Sequence, residues 1–108
     1  MTNCIGKLSA GQILLAELRS AGLPQPTAEH HFHPMRRWRL DYAWADRLVA
    51  VEIHGGVYIG GRHVRGVGFE RDREKMNSAQ ILGWTVLEYS TGQVLSGLAI
   101  TQLREALT

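Results

Sequence analysis

Arg36–Gly56 reads RRWRLDYAWADRLVAVEIHGG, and its alternation of apolar and polar residues decides the fold. Two runs within it repeat with period two, the pattern of half-buried strands. In the first, Trp38, Leu40, Tyr42 and Trp44 point one way, while Arg37, Arg39, Asp41 and Ala43 point the other. In the second, Val49, Val51 and Ile53 share a face, and Ala50, Glu52 and His54 share the opposite one. Read as a four-residue hairpin loop, Ala45–Leu48 sets Trp44 against Val49, Tyr42 against Val51, Leu40 against Ile53 and Asp41 against Glu52. A slip of one residue would carry half of these apolar side chains to the wrong face, so the pattern fixes the parity of the register. Two carboxylates then sit cross-strand, with Cβ atoms roughly 5 Å apart. Like charges so placed repel, and a cation between them reconciles the pair. The alternative is a surface pair neutralised by Arg37 or Arg39.

Upstream, Ser9 is a fair N-cap for a helix running to about Ser20, closed by Gly22 and Pro24. Its apolar stripe is Leu8, Leu14, Leu15, Leu18 and Ala21, with Ile13 and Glu17 on its flank. Thr27 to His33 is a further strand ending at Pro34; a three-residue turn to Arg37 puts Phe32 on the Trp38 face and Glu29, His31 and His33 on the Asp41 face. A two-residue turn would reverse this. Downstream, Gly55–Gly68 holds half of the twelve glycines, together with Arg62, His63 and Arg65, and reads as a flexible basic loop. It lacks the Lys-Ser/Thr ending of a P-loop, and GVGFER lacks the third glycine and preceding strand of a dinucleotide fingerprint. Phe69–Leu82 follows as a helix, Trp84–Tyr89 as a short strand and Gln93–Leu107 as a final helix. The order predicts an α/β protein with a mixed central sheet and helices packed against it, one domain over residues 1–108.

Composition narrows the class. A net charge of +2 does not announce a nucleic-acid binder, but the arginines crowd the middle of the chain, and their planar forks suit phosphate. Cys4 is the only cysteine, which excludes an internal disulfide. No basic-then-apolar leader or long apolar run is visible, so a cytoplasmic home is expected. The chemistry follows from the acids. Asp41 and Glu52 offer hard oxygen ligands suited to Mg²⁺ or Mn²⁺, and Mg²⁺ held by one or two carboxylates keeps waters and accepts phosphate oxygens. His54 shares the Glu52 face, where it would orient a water or take its proton. Arg37, Arg39, Arg62 and Arg65 would hold a phosphate backbone, with His63 a weaker candidate in the same loop. His30, His31 and His33 suggest zinc, yet alternation sends His30 to the opposite face from the other two.

An Asp on one strand followed by E-x-(usually Lys) on the next resembles the PD-(D/E)XK, or restriction-endonuclease-like, superfamily of nucleases. The order αβββαβ(α) is similar to that family's core. VEIHGG, a loop, a charged helix and GWTVLEY resemble its small single-domain branch near the very-short-patch-repair endonucleases and phage-type resolvases. The resemblance covers the chain from the first helix to Tyr89. It implies a metal-dependent endonuclease on DNA, with a Mg²⁺-activated water attacking the phosphate and metal held by Asp41, Glu52 and the backbone carbonyl of Ile53. It implies Glu17 as a further acid of the site, a bacterial cell with a phage or prophage origin, and a homodimer as the simplest way to cut both strands. The departure is at the lysine: His54 stands there, and Lys75 on the following helix is the replacement some members use. The reading that departure keeps open is an inactive nucleic-acid-binding module of the same fold, a subunit of a larger assembly.

Overall fold

A computed structural model describes residues 8–55, 58–59, 62–63 and 67–108. The chain runs α1 (Ala10–Ser20), β1 (Thr27–His31), β2 (Arg39–Trp44), β3 (Val49–His54), a short hairpin β4 (Tyr58–Ile59) and β5 (Arg62–His63), α2 (Val67–Ile81), β6 (Thr85–Ser90), α3 (Thr91–Leu95) and α4 (Leu98–Leu107). The main sheet has order β1-β2-β3-β6; its first two pairings are antiparallel and β3·β6 is parallel. This is the mixed sheet the pattern predicts. The parallel pair requires a crossover, which α2 supplies.

One face packs on α1, α3 and α4. Leu14, Leu18, Val94, Ala99, Leu103 and Leu107 close over Trp44, Val49, Val51 and Tyr89. The other face carries a smaller core in which Ala79 of α2 and Trp84 meet Leu40, Ala43 and Ala50. Leu40 therefore lies with Ala43 and Ala50, not with Tyr42 and Trp44 as strict alternation required. The period breaks at Asp41, opposite which Glu29 takes a left-handed φ of 53°.

Local signals account for the ends of the elements. Ser9 and Gln12 form a reciprocal capping box at α1, and Ser90 and Gln93 repeat it at α3. The final helix expected over Gln93–Leu107 is instead two, because the chain turns at Ser96 and Gly97, the latter at φ 92°. Part of the glycine-rich stretch read as loop forms the β4·β5 hairpin. The Ala45–Leu48 turn holds the expected register, with Trp44 against Val49 and Tyr42 against Val51. Arg47 clamps this turn to the carboxyl end of α4 by donating from Nη1 to the Leu107 carbonyl at 2.6 Å. Among the described residues no helix is long and apolar enough to cross a membrane.

Candidate active site

Beyond Tyr42↔Val51 the ladder between β2 and β3 is carried by side chains. The Asp41 backbone N–H donates to Glu52 Oε2 at 2.7 Å, and the Ile53 backbone N–H donates to Asp41 Oδ2 at 2.9 Å. Each carboxylate thus bonds the other strand's main chain, so both enter the gap between β2 and β3. Glu52 is only 4% exposed. Such a charge needs a partner. Lys75 of α2 supplies it, with Nζ 2.9 Å from Glu52 Oε1. Burial pushes the Glu52 carboxyl up from its ordinary value and the charge of Asp41 adds to this, while bonds from Lys75 and from the Asp41 N–H pull it back.

The gap opens beside a cleft of about 230 Å³ lined by Ser9, Gly11, Ala28, Glu29, Asp41, Tyr42 and Ile53. A Cβ at Gly11 would stand 2.2 Å from the Tyr42 hydroxyl, so any side chain there would push the tyrosine aside where α1 approaches the sheet. The pKa of the Tyr42 hydroxyl is raised, first by burial and then by the charges of Asp41 and Glu29. Both acids therefore act on the same cleft and favour a cation there.

His54 extends the arrangement toward β6. Its Nε2 lies 2.9 Å from Glu88 Oε1, and Glu88 also approaches Arg73 at 3.8 Å. Parallel register sets Glu88 directly beside Glu52, so Glu52, His54 and Glu88 cluster on the α2 side with Lys75. Reading residues singly missed Glu29 and Glu88. Glu29 had a signal, since a three-residue turn already set it on the Asp41 face. Finding Glu88 needs the β3·β6 register, which no local pattern carries.

The other expected residues fall elsewhere. Glu17 is not brought to the gap: it lines a separate cleft with Leu8, Ile13, Ile100 and Arg104, and its Oε1 is buried without a hydrogen-bond partner among the described residues. The end of α1 nearest Asp41 carries Ser9 and Gly11, more than a helical turn away from Glu17. Arg37 and Arg39 are exposed and make no ion pair with a described acid. The side chains of Arg62 and His63, and Arg65 altogether, lie outside the described residues. The three histidines have separate partners: His30 packs its ring 5.5 Å from Trp84, His31 Nε2 donates to the Arg36 carbonyl, and His33 Nδ1 accepts from the Met35 and Arg36 N–H groups. A zinc site on this segment is not what they build.

Among the described residues no three His, Cys, Asp or Glu side chains converge as an all-protein metal cage. Asp41 and Glu52 remain as hard oxygen donors in the gap, the donor type that suits a divalent cation retaining water.

No family model matches the chain. Two uncharacterized proteins of Mycobacterium tuberculosis, from strains CDC 1551 / Oshkosh and ATCC 25618 / H37Rv, are 32% identical to it over 68 residues, 61% of this chain. The chain spans only 24% of the length of these curated relatives. Among solved structures, the catalytic domain of the homing endonuclease I-Bth0305I matches with a TM-score of 0.64, covering 93% of each chain at 14% identity. That likeness shows a shared fold and agrees with the mixed α/β architecture.

Proposed function

We propose that the chain is a divalent-metal-dependent endonuclease that hydrolyses DNA phosphodiester bonds, a restriction-endonuclease-like domain whose displaced lysine is Lys75. The observation that carries this reading is the meeting of Asp41 and Glu52 in the gap between β2 and β3, with the Lys75 ammonium on Glu52 Oε1. Fold likeness to a homing endonuclease catalytic domain supports the same class. Asp41, Glu52 and the Ile53 carbonyl would hold Mg²⁺ or Mn²⁺. When bound, the cation neutralises charge building on the phosphate and lowers the pKa of a nearby water. Glu52 would then share its charge between cation and Lys75, leaving the ammonium to approach a non-bridging phosphate oxygen. Glu88 holds the His54 imidazole by one nitrogen and frees the ring to orient the attacking water. Arg37 and Arg39, with Arg62, His63 and Arg65 from the glycine-rich segment, would track the phosphate backbone.

A second reading rests on the same ammonium. Lys75 already supplies Glu52 with a cation, as it would in an inactive nucleic-acid-binding module. Incubation with supercoiled plasmid, single-stranded DNA and branched DNA, each with Mg²⁺, Mn²⁺ or EDTA, separates the two. Metal-dependent cleavage abolished in Asp41→Asn and Glu52→Gln supports the nuclease; binding without cleavage under every metal refutes it in favour of the module.

A further inference from the structure

The loop between β1 and β2, residues 32–38, is longer than its hairpin needs and is braced from within. Phe32 stacks on Trp38 with ring centroids 6.3 Å apart, and the His33 ring meets Trp38 edge-on at 5.3 Å. His33 Nδ1 takes the N–H groups of both Met35 and Arg36 at 3.0 Å, while His31 Nε2 holds the Arg36 carbonyl. The Arg36 guanidinium lies 3.9 Å from the Trp38 ring centroid and pairs with Glu74 of α2 at 3.1 Å. All of this fixes the backbone around one residue that packs on nothing: Met35 is 85% exposed. The next residue pairs with a described acid, but Arg37 and Arg39 beyond it do not.

A large apolar side chain on a stiff tip costs solvation, and bracing the loop keeps it from folding back onto the core. Flanking guanidiniums select a polyanion as what covers it. The tip is also tied to the candidate active site, because adjacent α2 residues grip both: Glu74 holds Arg36, and Lys75 holds Glu52. Glu74 and Lys75 are consecutive on α2, so a single helical turn touches both the loop and the carboxylate gap.

From this, and resting on the DNA reading above, we infer that the β1–β2 loop is a duplex-deforming wedge: Met35 enters between stacked bases while Arg37 and Arg39 fasten the adjacent phosphates. Apolar wedges of this kind unstack a base step and bend the duplex, opening it toward a neighbouring site. The braced loop lowers the ordering cost, since the tip is already in place before contact.

The test uses a duplex carrying 2-aminopurine, whose fluorescence rises on unstacking, mixed with the full chain in EDTA so that no cleavage intervenes. Wild type and Met35→Leu raise the signal; Met35→Ala does not, and it binds the intact duplex about 10-fold more weakly. On a duplex with an abasic gap, where no stacking is left to break, Met35→Ala binds within about twofold of wild type. Arg37→Ala weakens binding to both duplexes and lowers the salt slope by about 1. Equal affinity of Met35→Ala and wild type for intact duplex, or no fluorescence rise with either, overturns the wedge. Plasmid cleavage in Mg²⁺ is read separately: cleavage without unstacking sinks the wedge alone, unstacking without cleavage sinks the nuclease alone, and no binding to any duplex sinks both.

Discussion

Replacing Lys75 by methionine isolates the buried charge on which the site turns. The side chains of Glu52 and Lys75 are 5% and 16% exposed, so water screens the pair poorly. Removing one partner of such a pair typically costs about 3–5 kcal/mol. Two features lower the figure here. The Asp41 N–H still donates to Glu52 Oε2 at 2.7 Å, and the orphaned carboxylate can escape by taking a proton. At pH 7 that escape costs about 4 kcal/mol for a carboxyl of ordinary pKa near 4.3, which caps the loss. We expect Lys75→Met to lose about 3 kcal/mol at pH 7, measured by urea unfolding. The sign with pH follows from burial. Glu52 already has a folded-state pKa above its unfolded value, so the stability it contributes is fully present below the unfolded pKa and is lost as pH rises through the folded one. Without Lys75 that rise is larger, and the deficit of the variant should shrink below about 1 kcal/mol near pH 4. Adding Glu52→Gln should recover most of the loss at pH 7. Mg²⁺ at 100 times its Kd should return about 2.7 kcal/mol to Lys75→Met if the gap accepts the cation. A variant as stable as wild type at pH 7, with the same pH profile, would refute the claim that Lys75 compensates Glu52.

Gly11→Ala should cost about 1–3 kcal/mol of unfolding free energy through its clash with the Tyr42 hydroxyl, and Gly11→Ala combined with Tyr42→Phe should recover part of it by removing that oxygen. Tyr89 has a raised pKa, from burial and then from Glu105. Its contribution is therefore present below pH 10 and lost as pH rises through the folded value, so alkaline unfolding monitored at the tyrosinate band should flatten in Tyr89→Phe. Leu48 sits at φ 54° in the β2–β3 turn, and Leu48→Gly should be neutral or stabilising by up to about 1 kcal/mol in the same urea assay.

The hairpin was legible because alternation and a four-residue loop leave one register that buries Tyr42, Trp44, Val49 and Val51 together. Even so, alternation misplaced Leu40: nothing local announces the distortion at Asp41 and Glu29 that sends it to the α2 face. Lys75 could be singled out on its helix, but its contact with Glu52 comes from the crossover that lays α2 over the sheet. Glu17 misled because its place on the flank of α1 does not reveal how far the helix has slid along the sheet. The break at Gly97 was missed because Leu98, Leu103 and Leu107 continue an apolar stripe across it. Glu88 depends on a pairing between strands some thirty residues apart, which only the folded chain supplies.

Asp41 and Glu52 do the work of rungs at the point where main-chain amides stop answering one another across β2 and β3. Deleting either side chain to alanine would unzip the open end of the hairpin as well as discharge it. Asparagine and glutamine keep a carbonyl for the same N–H while surrendering the negative charge. Amide exchange at these two positions therefore keeps the shape of the site far more readily than truncation does.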